Sequence, residues 1–263
     1  MIILLIYLIC GIIVGTLSSW IGAGGGAVII PVMLLVCKYQ GMSNEISIHL
    51  AVSTSLAFIM INAFYSSYKH YKHGHLILNI LKNAFPAIII GAILGTIISQ
   101  LMSARVIETI FAILLIVSLV KTFKFKKNIA KLEVILPSKI SCIFLGSTAG
   151  LLSSIVGIGG SSIVNPYMKH YNYPMRNSAA MAGAIALPTA AIATVTMLIS
   201  SYHALGLPKY SFGYLYFPAF LGLLVGSFIG VPIGVRIVKR CPEAISIWLF
   251  RLILIYVIID MLI

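Results

Sequence analysis

The sequence predicts an all-α polytopic membrane protein built from two homologous halves arranged as inverted repeats. Each half is a broken or re-entrant glycine-rich helix followed by three transmembrane helices. The first observation behind this is composition: 60% of the 263 residues are hydrophobic and 9% charged, with a mean hydropathy of +1.10. A soluble domain needs a charged exterior that such a chain cannot supply. The second is a duplicated signature: residues 11–31 read GIIVGTLSSWIGAGGGAVIIP and residues 146–166 read GSTAGLLSSIVGIGGSSIVNP. With Gly146 set on Gly11, an offset of 135, identities fall at Gly15/Gly150, Leu17/Leu152, Ser18/Ser153, Ser19/Ser154, Gly22/Gly157, Gly24/Gly159, Gly25/Gly160 and Pro31/Pro166 as well. The third is the placement of the basic residues, which sets the orientation of the halves.

Taken in order, residues 2–20 are apolar but turn small and polar at Thr16, and residues 27–36 are too short to cross a bilayer. A helix needs about 20 apolar residues to do so. Residues 46–67, 76–102 and 106–123 are expected as full spans. Residues 121–139 form the one basic, weakly apolar linker. The plan then repeats with 140–156, a short piece at 162–168, and spans at 178–201, 211–235 and 244–263. The units are therefore 1–125, a basic cytoplasmic linker 126–139, and 140–263. Gly91, Gly95, Arg105 and Glu108 recur at Gly226, Gly230, Arg240 and Glu243 with the same offset. Between the two blocks the second half is expected to shorten a loop by six residues, which sets AVSTSL at 51–56 against AMAGAI at 180–185.

Charge chooses between two topologies. If each broken element dips in and returns to its own side, the halves are inverted and most of the 18 Lys and Arg lie with the linker. Only Lys38, Arg105 and Lys209 then fall opposite, with Arg251 inside a span. Full crossing of the broken elements makes the halves parallel and weakens that bias, so the positive-inside rule favours inversion. The formal charge of +13 sits in short loops between apolar runs, which excludes a nucleic-acid partner. Residues 1–9 lack Lys and Arg and no small-residue cleavage site follows, so a retained membrane segment is expected. Cys10, Cys37, Cys142 and Cys241 are scattered without a CxxC spacing, and neither a zinc site nor a redox pair is indicated.

The successive glycines Gly22, Gly24, Gly25 and Gly26 remove the side chains that keep a helix going and permit positive φ. The helix should stop near mid-membrane and restart at about Gly26, aiming free N–H groups and a positive dipole end at the cavity. Such an end favours an anion. Gly157, Gly159, Gly160 and Ser161 supply the second copy, and Ser18, Ser19, Ser153 and Ser154 add hydroxyl donors. GAGGGA at 22–27 mimics a dinucleotide fingerprint, but it follows a membrane helix, and no GK[ST] ending supports a P-loop. Glycines spaced four apart, such as Gly11/Gly15, Gly91/Gly95 and Gly226/Gly230, are expected as helix contacts.

At these residues the chain resembles the TauE/SafE family of sulfite and sulfonate permeases, also called the toluene sulfonate uptake permease family. The doubled signature, the AVSTSL string, the basic central linker and the length carry the resemblance over essentially the whole chain. It implies a multi-pass inner-membrane (cell-membrane) permease of about eight spans, moving sulfur-containing anions without a cofactor. It also makes Ser53, Thr54 and Ser55 candidates for the pathway beside the glycines. Ser53 stands where the family usually has Gly, and the second copy, AMAGAI, has lost its hydroxyls.

Ionisable residues within spans are costly. Arg251 has no counterpart in the first half and either holds a substrate anion or snorkels to an interface. His49 is expected at an interface, KHYKHGH at 69–75 as a solvated loop, and Arg105/Glu108 as a staple on a helix's opening turn. The functional expectation is a secondary transporter of small anions, sulfite or organosulfonates, working by alternating access. The alternative is a transporter or channel for another small solute, such as a metal cation or amino acid. The expected partners are the small anion and the lipid bilayer, with a homo-oligomer left open. A membrane enzyme is not expected, because no HExxH and no Ser with a matched Lys or His is present.

Overall fold

The computed structural model describes residues 2–21, 25–123, 133–202, 204, 206–240, 252 and 255. Nine helices and one hairpin lie within them: α1 (Ile2–Ile21), α2 (Gly26–Tyr39), α3 (Asn44–Lys72), α4 (Leu78–Leu101), α5 (Ala104–Phe123), α6 (Lys139–Val156), α7 (Ser161–His170), α8 (Met175–Ser200), strands β1 (Ser211–Phe212) and β2 (Leu215–Tyr216), and α9 (Phe217–Arg240). Among the described residues, four helices are long and apolar enough to cross a membrane: α3, α4, α6 and Asn177–Ser200 of α8. The spans expected at 46–67, 76–102 and 178–201 are three of these. The fourth, α6, was expected only as the first arm of a broken element, yet it reaches spanning length itself. The expected span 106–123 is helical but outside that set, and of 244–263 only Leu252 and Ile255 are described.

Two features depart from the sequence reading. The segment 211–235 does not open as a helix: residues 211–216 form an antiparallel hairpin pairing Ser211 with Tyr216 and Phe212 with Leu215. Gly213 turns it at φ +54°, and aromatic residues on either side favour strand over helix. The shortening in the second half does not fall in a loop either. The connections 40–43 and 171–174 are equally long, whereas α7 has 10 residues against 14 in α2.

Packing relates the halves reciprocally. Helix α1 lies along α9, and α4 lies along α6. Both pairs run parallel, since Gly11 and Gly15 stand on Leu223 and Ser227, and Gly146 and Gly150 on Ala84 and Ile88. Glycines let the backbones approach to where no Cβ would fit, and close dispersion contact replaces a hydrophobic drive that lipid cannot provide. Gly230 faces Ile12 and Thr16 as Gly91 faces Ser147 and Leu151, and an offset of 135 turns Ile12 and Thr16 into those same two positions. In packing, the partner of Gly91 is therefore Gly230 rather than Gly226. The offset here is 139, which also relates the first residues of the two helices, Leu78 and Phe217.

Both broken elements fold back. Tyr7 near the start of α1 lies beside Cys37 and Gln40 at the end of α2. Ser141 Oγ, one turn into α6, is 3.0 Å from Tyr167 OH and 2.8 Å from Tyr171 OH at the end of α7. Helices α3 and α8 run in opposite directions. Gly183 faces Ser66 and Ser67, and Asn177 Nδ2 donates to the His75 carbonyl at 2.9 Å. At the other end, the Tyr214 amide donates to Ser201 Oγ at 3.0 Å, while the Tyr214 ring stacks on His49, early in α3, at 5.0 Å.

The molecule thus has two poles. One carries the start of α3, the end of α8 and the hairpin; the other carries the start of α8, residues 133–138 and the start of α6. At the first pole the opening turn of α5 is held by Glu45, whose Oε2 accepts from the Ala104 amide at 2.9 Å, while Glu108 accepts from Asn44 Nδ2 at 3.1 Å. The acid that caps this turn comes from α3, so the expected Arg105/Glu108 staple is not what holds it.

Candidate functional site

The second break is a main-chain structure. Helix α6 ends because Gly157 adopts a left-handed cap at φ +72°, its N–H donating to the Ser153 carbonyl at 2.8 Å. Gly159 and Gly160 follow at φ +82° and +75°, a conformation closed to most side chains. Helix α7 restarts at Ser161, with the amides of Ile163 and Val164 returning to the Gly160 carbonyl at 3.0 and 2.9 Å. The amides ahead of them have no acceptor within the helix. At the first break α2 restarts at Gly26 as expected, but its cap residue Gly25 is right-handed at φ −49°, so Gly25 itself needs no positive φ. Gly22, Gly24 and Arg251 lie outside the described residues. Ser18 and Ser19 are in the last turns of α1, their side chains outside the described set.

The two breaks meet. A Cβ on Gly26 would run into the Gly157 carbonyl and the Ile158 Cα, so only a glycine hydrogen fits between them. Gly25 lies under Val14 and Phe58, with Phe58 Cε1 3.1 Å from where a Cβ would stand. Helix α3 supplies the neighbouring hydroxyls. Ser55 Oγ donates to the Gly157 carbonyl at 2.8 Å, and Thr54 Oγ1 accepts from the Tyr216 amide at 3.3 Å. Ser53, Ser153 and Ser154 are buried, and their hydroxyls have no hydrogen-bond partner. Ser153 Oγ points at Gly160, 3.2 Å from its would-be Cβ, and Ser161 is buried at the head of α7.

Among the described residues the site presents hydroxyls and main-chain amides and carbonyls. Among the described residues the buried polar side chains are Ser and Thr, with His49 the one exception. An unpartnered buried hydroxyl costs about 1–3 kcal/mol, so Ser53, Ser153 and Ser154 are expensive unless something else takes their hydrogen bonds. The N–H groups that open a helix carry partial positive charge. The arrangement suits oxygen atoms of an anion, which accept from several donors at once. For a metal ion it offers little. Among the described residues, no group of three His, Cys, Asp or Glu is placed to hold one, and the closest pair in KHYKHGH is His70 and His75, whose Nδ1 atoms are 3.3 Å apart.

Two contributors were not read from the sequence. The hairpin closes the site from one pole through Tyr216 on Thr54 and Tyr214 on His49. Burial keeps the Tyr214 phenol above its ordinary pKa. The alternating aromatics of YSFGYLY at 210–216 were the available signal. The other is a cleft of about 170 Å³ between α3 and α9, lined by Phe58, Asn62 and Tyr65 on one side and Ser227, Phe228 and Val231 on the other.

Comparison with known proteins matches the family model described as sulfite exporter TauE/SafE to residues 7–261. A Haemophilus influenzae protein described as a probable membrane transporter protein is 25% identical over 98% of this chain and 97% of its own length. One from Methanocaldococcus jannaschii with the same description is 26% identical over 92% and 89%. A third, YdhB of Bacillus subtilis, again described so, is 25% identical over 93% of each chain.

Proposed function

Because this chain belongs to the sulfite exporter TauE/SafE family, and is with it a multi-pass membrane transporter, we propose that it moves small oxyanions, sulfite or organosulfonates, through the meeting point of its two breaks. The observation that carries this reading is the buried, unpartnered hydroxyl of Ser153, which points at Gly160 beside the start of α7. Neutral donors bind an anion without the fixed charge that would hold it too long. Alternating access around this point is supported by the opposite directions of α3 and α8 and by the folding back of both broken elements, the arrangement that inverted halves require. The inner (cell) membrane is the proposed location, with the 121–139 linker in the cytoplasm.

The test is flux in proteoliposomes with sulfite, taurine, sulfoacetate and sulfate, each with and without a proton gradient. Saturable flux of at least one of them, lost in a Ser153→Ala/Ser154→Ala variant, is the expected result. Flux of a metal cation or a neutral amino acid, with none of these anions moved, would overturn the assignment. A cation would want buried carboxylates, and among the described residues none is buried.

A further inference from the structure

We infer that the cleft between α3 and α9 is the open vestibule through which solute reaches the breaks from the linker pole, and that Phe58 is the barrier at its inner end. The inference rests on the transport reading above, and its observations are three. First, Phe58 lines the cleft, and its ring edge lies 3.1 Å from the position a Cβ would take on Gly25. Phe58 stands between the cleft and the start of α2, with Val14 and Ile29 packed around the same position on Gly25.

Second, the cleft lies toward the linker pole. Its α3 residues, Phe58 to Tyr65, belong to the half of α3 that ends at Lys72, next to the start of α8 through the Asn177–His75 hydrogen bond. The Ile135 amide donates to the Tyr171 carbonyl at 3.1 Å, which ties the end of the linker to the same pole. The opposite half of the α3/α9 contact is closed, since Thr54 holds Tyr216 there.

Third, the interface that repeat symmetry relates to α3/α9 is α8/α4, and it is shut along its length. Helix α8 packs along α4 more extensively than α3 does along α9. Ile80, Ala84 and Ile88 of α4 are buried with Met181 and Ile185 of α8 in one apolar cluster. At its far end Gln100 Nε2 donates to Ser200 Oγ at 2.6 Å. The two equivalent seams therefore differ in one molecule: one is open toward the linker pole and the other closed toward the opposite pole. Exchanging the two arrangements would carry the breaks from one entrance to the other.

The test is thiol labelling of the full chain in membrane vesicles of both orientations, in a background with Cys10, Cys37, Cys142 and Cys241 replaced by Ala. A membrane-impermeant thiosulfonate reacts only with thiolate, which forms in water and not in lipid. Asn62→Cys is expected to react from the linker side and not from the other, and Thr194→Cys on α8 from neither. Val14→Cys is expected to react slowly behind Phe58 and at least about tenfold faster once Phe58→Ala is added, with Phe58→Val as the second variant should Phe58→Ala not accumulate. Asn62→Cys inert from both sides would make the cleft a lipid-facing groove, and reaction from the opposite side alone would reverse the pathway. A Val14→Cys rate indifferent to Phe58 would remove the barrier. Labelling as expected with no anion flux would overturn the proposed substrate while leaving the vestibule standing.

Discussion

Ser55 of the first half donates its hydroxyl hydrogen to the carbonyl oxygen of Gly157 in the second, at 2.8 Å and fully buried. That bond occupies the acceptor exposed where α6 ends and leaves the surrounding donors for something else.

Replacing Ser55 with Ala is expected to strand that carbonyl. The cost is about 1–3 kcal/mol, read as a lower unfolding temperature in detergent, together with reduced flux. An unchanged midpoint would mean that the bond is incidental to the contact between the halves.

Ser153→Ala and Ser154→Ala should behave oppositely. Their hydroxyls have no partner in the protein, so removing them is expected to leave stability unchanged or raise it by about 1 kcal/mol while lowering anion flux or raising KM. Thermal unfolding with and without sulfite separates the two effects, because only the wild type should gain stability from the anion.

Gly26→Ala is expected to abolish flux, since its methyl meets the Gly157 carbonyl and the Ile158 Cα. Gly25→Leu and Gly160→Leu should do the same, the first against Val14 and Phe58, the second at φ +75°. Gly183→Ala is the control: its nearest neighbour would be Ser67 Oγ at 3.4 Å, an ordinary contact. Membrane insertion measured by surface labelling should be normal in the variants that stop flux.

Gly226→Leu should damage the fold before it touches the site. A side chain there meets Leu8, Gly11 and Ile12 of α1, and overpacking of this kind costs about 1–3 kcal/mol or more. Loss of a monodisperse peak after detergent extraction is the expected readout.

The breaks were legible because consecutive glycines stop a helix by local conformation, whatever surrounds them. The restart at Gly26 follows from the same fact. The partner of Gly91 was misread because Gly222, Gly226 and Gly230 repeat every four residues, so a shift of one turn leaves a plausible glycine opposite. Packing against Ile12 and Thr16 resolves what the period cannot. The hairpin at 211–216 was absorbed into a span because short aromatic strands are as apolar as the start of a helix. Glu45 capping α5, and Phe58 standing over Gly25, are contacts between distant parts of the chain that no local pattern announces.

The interior built from hydroxyls and amides has a further consequence for energetics. Among the described residues the proposed cradle holds no buried cation, so each monovalent anion that it is proposed to pass displaces one negative charge across the bilayer. At about 2.3 kcal/mol per 100 mV, a potential negative on the linker side then powers expulsion and opposes entry, unless a proton travels with the solute and cancels the current.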